Sequence, residues 1–282
     1  MTESSIFDIS IIKKLKVDLE EKNFGMQWHI IANYIIDMAF GEEWFDLYCD
    51  HLSPRLAPFS QDISTKQGVA EYHLNVVRLA HMLFLLRHEE GYIEFISSLK
   101  TRDFAPVFFE LHAASLLFQN GYRINFVSPT GIKGKDYDLT IEVDSDRIAV
   151  EVKSRRSGPI NNAKKLSNAL QEARKQLPTD MPGIIAIAID SEYEGVASAK
   201  HAEDEVESAL VSFLKSTQRV NRVLVFWHRF EGEPVYSKTM VKEWVSTRSR
   251  HPIGRDWLIQ HISTIPTPTA IQQGFPSFMS IA

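Results

Sequence analysis

The chain has 282 residues, of which 44% are hydrophobic and 24% are charged, and this balance excludes a wholly disordered protein. The formal net charge is −5, so the chain as a whole lacks the basic excess that is typical of many nucleic-acid-binding proteins.

The cysteine content and the apolar segments indicate in which cellular compartment the protein is expected. Cys49 is the single cysteine, which excludes an intramolecular disulfide and a cysteine-based zinc site. We therefore expect a reducing compartment, most simply the cytoplasm. The sequence shows neither the pattern of a secretory signal nor an apolar run long enough to span a bilayer, so we expect no membrane partner.

The first 104 residues are predicted to form a helical region. Apolar residues recur at helical spacing within Gln27–Phe40 and Gly68–His88. Residues 1–105 contain 16 acidic and 10 basic side chains, a balance that disfavours direct contact with a phosphate backbone. We expect this region to regulate the rest of the chain or to form a homodimer.

The pattern changes after Asp103 to helices alternating with short strands. The predicted order is helix, three strands, helix, strand, helix and strand. These elements are predicted at 106–120, 122–127, 139–143, 148–153, 162–177, 183–189, 201–218 and 222–227. Such an order is typical of an α/β fold in which helices cover a mixed sheet. We therefore expect a domain over 105–230, followed by a C-terminal extension, 231–282, packed on the core.

Two carboxylates and a lysine are predicted to meet on the hairpin formed by the second and third strands. Alternation puts Glu151 and Lys153 on one side of their strand and Asp138 at the start of the neighbouring strand. The two carboxylates are then expected to converge at one end of the same face. Such a pair can hold a hard divalent cation and leave positions open for water and phosphate. The lysine can support a water nucleophile and offset charge in the transition state.

Asp138 followed by Glu151-Val152-Lys153 resembles the D…(D/E)-x-K signature of the restriction-endonuclease-like nucleases, the PD-(D/E)XK superfamily. Tyr137 stands where the signature usually has a proline. The segment Gly134–Asp138 resembles the loop that delivers the family's aspartate to a strand. The resemblance covers residues 105–230 and implies an α-β-β-β-α-β core preceded here by the helical region.

The resemblance implies a metal-dependent nuclease, with an endonuclease acting on DNA favoured over one acting on RNA. It implies that Asp138, Glu151 and the backbone carbonyl of Val152 hold Mg²⁺, for which Mn²⁺ can substitute. It also implies that Lys153 orients the attacking water or helps to deprotonate it. Restriction, defence and repair are the processes in which such enzymes act.

Two further residues acquire roles through the resemblance. Glu110, on the helix before the first strand, corresponds to a glutamate that binds or orients a metal in many members. Gln171, on the following helix, corresponds to a glutamine that supports the lysine or a ligand in some branches. The residues themselves leave a simpler alternative open for each, namely an ordinary residue on a solvated helix surface.

A basic segment begins at the predicted site and provides a surface for nucleic acid. Seven lysine and arginine residues and one acidic residue lie between Val152 and Pro178. Cations of this kind supply most of the non-specific affinity for phosphate backbones. A solvated basic helix is the alternative. With two lysines of the preceding loop, the predicted nucleic-acid contacts are Lys133, Lys135, Arg155, Arg156, Lys164, Lys165, Arg174 and Lys175.

The residues leave two alternatives open at the centre of the site. Asp136 is a second candidate for the carboxylate that precedes the hairpin, with Asp138 then a turn residue. Glu151 and Lys153 are also compatible with a cross-strand salt-bridge network on the surface, which would contribute little stability.

Two alternatives concern the function as a whole. The chain is also compatible with a catalytically silent module that uses the same fold to bind nucleic acid or protein. The acidic character of residues 1–105 and of Asp190–Glu207 is suited to a protein partner rather than to a phosphate backbone.

Overall fold

The structure is a computed structural model that describes the chain in twelve segments. They are 6–20, 24–41, 43–44, 64–99, 102–132, 134–143, 146–154, 163–188, 199–231, 236–254, 258–259 and 264–265. By its internal contacts the chain divides into two units. The helical unit comprises Met1–Ser115, Arg229–Lys238 and Ser263–Ala282, and the sheet unit comprises Leu116–His228 and Thr239–Ile262. The predicted domain boundaries at 104 and 230 stay a prediction.

The helical unit contains the predicted helices of the first hundred residues. The N-cap Asp8 accepts a hydrogen bond from the backbone N–H of Ser10, and the N-cap Thr65 accepts one from Gly68, so each satisfies a donor that the first turn leaves open. The described helices in or entering this unit are α1 (Ile9–Asp18), α2 (Phe24–Phe40), α3 (Lys66–Leu85), α4 (Tyr92–Leu99) and α5 (Phe104–Gln119).

The chain from α5 onward is mixed α/β, and the predicted order of helix, three strands, helix, strand, helix and strand is confirmed. Its strands are β1 (Arg123–Phe126), β2 (Leu139–Val143), β3 (Asp146–Ser154), β4 (Gly183–Ala188), β5 (Val220–Glu231) and β6 (Tyr236–Val245), neighbours in that order. The pairs β1–β2 and β2–β3 are antiparallel, whereas β3–β4 and β4–β5 are parallel. The connections to β4 and β5 contain α6 (Ala163–Gln176) and α7 (Ala199–Ser216), since parallel neighbours need a crossover.

β6 lies beyond the last strand that the sequence predicts. It follows β5 in the sheet, and its first residues pair with the short strand β7 (Thr264–Ile265) through Ser237 and Lys238. Met240 and Trp244 of β6 pack against the main apolar cluster of the sheet unit. The sheet is therefore wider than the sequence indicates.

One apolar cluster of the sheet unit is formed by the sheet and helices α6 and α7. Apolar residues of α6 recur at intervals of four, three and four positions and so form one stripe along the helix. The residues of this cluster include Leu166, Leu170, Ala173 and Leu177 from α6 and its end, Leu210 and Phe213 from α7, and Ile185, Ile187, Val223 and Val225 from the sheet. This packing fixes the position of β3, which carries the predicted catalytic residues.

A glycine allows the end of α6 to approach the sheet closely. A Cβ atom on Gly183 would lie 2.9 Å from Cδ1 of Leu177 and 3.2 Å from the carbonyl oxygen of Arg219. Side chains other than hydrogen are therefore disfavoured where β4 begins.

A buried ion pair joins β5 to β6. Nη1 of Arg222 lies 2.5 Å from Oε1 of Glu243, and the two side chains are 1% and 3% exposed. Glu243 also accepts a hydrogen bond from the backbone N–H of Leu258. Each buried charge therefore has a partner, as burial of charge requires.

Within the described residues, no helix combines the length and the apolar character that crossing a bilayer requires.

Candidate active site

Glu151 and Lys153 lie on the same face of β3. The Glu151 side chain is 2% exposed, and its Oε1 forms an ion pair with Nζ of Lys153, which is about one-third exposed. The alternation predicted from the sequence is confirmed, because residues two apart on a strand point the same way. The alternative of a cross-strand surface network is wrong for Glu151, because its carboxylate is buried and pairs with a residue of the same strand.

Asp138 is held against this pair by three hydrogen bonds. Its N–H donates to the carbonyl of Val150 at 3.1 Å, and its carbonyl accepts from the N–H of Val127 at 3.0 Å. Its side-chain Oδ2 accepts from the backbone N–H of Val152 at 2.7 Å. Val152 lies between Glu151 and Lys153, so Asp138 contacts the backbone of the triplet. The expected convergence of the two carboxylates on one face stays a prediction.

The pairing of β2 with β3 places these groups. Leu139 is opposite Val150, and Ile141 is opposite Ile148, with all four side chains fully buried. A slip of one residue would move these side chains to the other face of the sheet, so burial specifies this register. Asp138 precedes β2 directly and therefore meets β3 beside Glu151.

Tyr137 anchors the start of β2, a role that the sequence signature does not indicate. Its ring packs against the main apolar cluster of the sheet unit, and its hydroxyl lies 3.4 Å from Oγ1 of Thr140. The position where the family signature has proline is thus occupied by a side chain that contacts the core. The position of an aromatic residue just before an apolar strand could have indicated this contact with the core.

Asp136 fastens its own loop. Its Oδ1 accepts hydrogen bonds from the backbone N–H of Thr130 at 2.6 Å and from the Thr130 hydroxyl at 2.7 Å. These bonds, the hydroxyl first, lower the pKa of the Asp136 carboxyl. Gly134, at a φ of +81°, provides the left-handed turn that closes this loop. Asp138, and not Asp136, therefore supplies the carboxylate beside the β3 triplet.

Glu110 lies on α5, the helix before β1, and belongs to the helical unit. It is 5% exposed, and its Oε1 lies 2.5 Å from Nη2 of Arg102. The alternative of a solvated helix residue is therefore wrong. The predicted role of Glu110 in metal binding stays a prediction.

Gln171 lies on α6 and is half-buried. Its neighbour Leu170 is fully buried in the core, so the helix position is set by packing against the sheet. This burial is compatible with the alternative of a residue on the helix surface. Its predicted support of Lys153 stays a prediction.

The predicted nucleic-acid contacts fall in three places. Lys135 is exposed in the loop before Asp138, and Lys164 and Lys165 are exposed in the first turn of α6. Arg174 and Lys175 lie in the last turn of the same helix, at its opposite end. Lys133, Arg155 and Arg156 lie outside the described residues.

The oxygen donors at the site fit a hard divalent cation. Asp138 and Glu151 supply carboxylates, and the Val152 carbonyl adds a backbone oxygen on the same strand, a donor set suited to Mg²⁺. In the part of the chain that the structure describes, no group of three or more His, Cys, Asp or Glu residues could hold a metal. A site here would thus take its remaining ligands from the backbone, water and phosphate.

Four further basic residues, none of them predicted from the sequence to be functional, share a cavity with Arg174 and Lys175 in the sheet unit. They are Lys215, Arg219, Arg248 and Arg250. They come from separate segments of the chain, so no local run of basic residues could have indicated them.

No family model matches the chain, and the search of curated proteins likewise finds no match. The candidate site is therefore assigned from its own residues and their geometry.

Proposed function

We propose that this protein is a metal-dependent nuclease that hydrolyses phosphodiester bonds of nucleic acid, with DNA as the favoured substrate. The observation that carries the proposal is the 2.7 Å hydrogen bond from the N–H of Val152 to the carboxylate of Asp138. It brings the aspartate beside Glu151 and Lys153, which are 13 and 15 residues later in the chain.

The arrangement supports a restriction-endonuclease-like core. The order α5, β1, β2, β3, α6, β4 is the α-β-β-β-α-β order expected for that superfamily, with the aspartate directly before the second strand and the E-x-K triplet on the third. We therefore assign residues 105–230 to the PD-(D/E)XK nucleases as part of the proposal.

Each residue has a distinct part in the proposed mechanism. Asp138, Glu151 and the Val152 carbonyl hold Mg²⁺, which when bound supplies Lewis-acid stabilisation of the negative charge that develops on the phosphate. Lys153, held by its ion pair with Glu151, donates an N–H to the attacking water and orients it. The water oxygen bonds to phosphorus, the bond to the leaving oxygen breaks, and a proton passes from the water to that oxygen.

The contacts of each site group bear on its role. The Asp138 carboxylate accepts a hydrogen bond from a backbone N–H, which orients it beside the β3 triplet. The Lys153 ammonium balances one carboxylate charge in the absence of substrate and can shift toward the phosphate when substrate arrives. Because Lys153 is about one-third exposed, a phosphate can reach it from solvent.

A cleavage assay tests this proposal. Supercoiled plasmid, linear duplex, single-stranded DNA and RNA are incubated with Mg²⁺, Mn²⁺ or EDTA. We expect metal-dependent cleavage by the wild type and its loss in Lys153→Ala. Glu142→Ala is the matched control, because Glu142 is an exposed residue of β2 whose ion pair with Arg123 measures 3.9 Å. Full activity of Lys153→Ala would contradict the assignment.

The second candidate is a silent binding module, and the retained residues argue against it. A module that has lost catalysis no longer needs two carboxylates and a lysine together, whereas here all three are in place. Binding of nucleic acid without cleavage by the wild type, on every substrate and with either metal, would favour this candidate.

A further inference from the structure

A strongly basic cavity of about 700 Å³ lies in the sheet unit. It is formed where α6 and α7 end and where the chain turns into β4 and β5. Its basic lining residues are Arg174, Lys175, Lys215, Arg219, Arg248 and Arg250. The other lining residues are Thr179, Ser216, Thr217 and Gln218.

Part of this charge stabilises the two helix ends. Nη1 of Arg219 donates to the carbonyl oxygens of Arg174 at 3.1 Å and Leu177 at 3.3 Å, at the end of α6. Nη1 of Arg248 donates to the carbonyl of Lys215 at 3.0 Å, at the end of α7. These contacts satisfy carbonyl groups that the last turns leave open.

The helix ends account for only a small part of the charge. Each helix C-terminus carries the equivalent of about half a negative charge, so two termini offset about one of the cavity's six positive charges. The ion pair between Lys175 and Glu172 offsets one more. About four positive charges therefore remain in excess, which is more than capping requires.

The lining fits the oxygens of a phosphate group rather than a nucleobase or a cation. Among the described residues that line the cavity, none is acidic or aromatic. The lining therefore offers no ring on which a base could stack and no carboxylate that could bind a cation. Guanidinium groups, ammonium groups and hydroxyls match the oxygens of phosphate. The volume lies within the range of roughly 300–1,000 Å³ that is usual for ligand pockets.

The cavity is distinct from the proposed catalytic site. In the strand register, Glu151 pairs with Ile185 on β4, and Ile185 pairs with Val223 on β5. Arg219 precedes Val223 by four residues, a separation of about 13 Å along the strand direction at roughly 3.3 Å per residue. The two sites therefore face different ends of the same sheet.

We propose that this cavity binds a group of adjacent phosphates, supplied either by a nucleic-acid backbone or by a free polyphosphate. Binding there requires neither Asp138 nor a metal, so the site goes beyond the proposed nuclease function. In the first case the cavity is a second anchor for nucleic acid, remote from the bond that is cut. In the second it is a site for a small polyanionic ligand.

The test measures binding by the full chain in the presence of EDTA, which removes any metal-dependent contribution. Tripolyphosphate is titrated by calorimetry, and fluorescently labelled single-stranded and duplex DNA are titrated by anisotropy. The variant Arg174→Gln/Lys215→Gln/Arg250→Gln removes three charges and retains Arg219 and Arg248, which cap the helices. The control Lys13→Gln/Lys14→Gln/Lys66→Gln removes three exposed charges of α1 and α3.

We expect the cavity variant to bind its probe at least about tenfold more weakly than the wild type, because each lost charge-assisted hydrogen bond to phosphate is worth a substantial factor. The control should bind as the wild type does. Thermal unfolding of both variants checks that the fold is retained. For DNA, the slope of log K against log salt should become shallower by about 0.7 for each lost contact with a single strand.

The two probes distinguish the two sources of phosphate. Binding of DNA and tripolyphosphate in competition assigns the cavity to the nucleic-acid backbone, and binding of tripolyphosphate alone assigns it to a free polyphosphate. Wild-type binding of neither probe, or equal binding by wild type and cavity variant, would overturn the proposal. Because cleavage is measured separately, failure of the nuclease assignment leaves this result unaffected, and the reverse holds as well.

Discussion

The backbone N–H of Val152 donates a hydrogen bond to Oδ2 of Asp138 at 2.7 Å. The aspartate side chain thus bridges from the start of β2 to the middle of the E-x-K triplet on β3. The same carboxylate serves the proposed metal site and fastens one strand to the next. Substitutions that separate these two roles are therefore informative.

Asp138→Asn and Asp138→Ala should differ in stability but not in activity. Both remove the negative charge, so both should lose metal-dependent cleavage. Asparagine retains an oxygen that accepts the Val152 N–H, whereas alanine leaves that donor without its side-chain acceptor, at a cost of about 1–3 kcal/mol. Urea unfolding and plasmid cleavage, measured on both variants, check this. Wild-type cleavage by Asp138→Asn would count against a metal-binding role.

Breaking the buried ion pair between Arg222 and Glu243 should destabilise the sheet unit. Glu243→Gln leaves the Arg222 charge buried without its ion-pair partner, and we expect a loss of about 3–5 kcal/mol in the free energy of unfolding. The double variant Arg222→Met/Glu243→Leu should recover much of this loss, since it removes both charges. Urea denaturation measures each value.

The exposed pair of Arg123 and Glu142 is the control for that experiment. Glu142→Gln should change the free energy of unfolding by less than about 1 kcal/mol, because exposed ion pairs contribute little. Equal losses for the buried and the exposed pair would show that burial does not decide the effect.

Gly183→Ala should destabilise the protein because of the close approach of α6. The added Cβ would lie 2.9 Å from Leu177 and 3.2 Å from the carbonyl of Arg219, and overpacking of this kind costs about 1–3 kcal/mol. Gly254→Ala is the matched control, since a Cβ there meets no atom within 4 Å. Thermal unfolding of both variants compares them, and an equal Tm would contradict the steric argument.

Acid should destabilise the helical unit through His81. Burial, and to a lesser extent the Arg78 charge, lowers the pKa of His81 to about 4, whereas in the unfolded chain it lies near 6.5. Below pH 6.5 the unfolded state therefore binds more protons than the folded state, so stability falls as the pH drops toward 4. His112 is buried beside the same charge, and its pKa is shifted in the same direction.

The measurement is the free energy of unfolding in urea between pH 4 and pH 8. His81→Gln removes the titrating group, so its stability should depend less steeply on pH between 4 and 6.5. His88→Gln, at an exposed position near the end of the same helix, is the control. An unchanged slope in His81→Gln would show that His81 does not cause the effect.

The local pattern of apolar and polar residues was sufficient to predict the helices and strands and the residues at the centre of the candidate site. The stripe on α6 and the alternation on β3 each follow from a backbone period, 3.6 for the helix and two for the strand. Glu151 and Lys153 therefore had to share a face, and a short connection between β2 and β3 had to bring Asp138 near them. No long-range information was needed for this juxtaposition.

The order of helices and strands and the contact of Asp138 with the triplet could thus be predicted from the sequence, because both depend on residues that are close in the chain. The extra strand β6, the Arg222–Glu243 ion pair and the basic cavity became visible only in the folded protein. The cavity takes its charges from the ends of α6 and α7 and from the segment after β6. These residues come into contact only after the elements pack against the sheet. Since they share no periodicity along the chain, no sequence pattern could predict their contact.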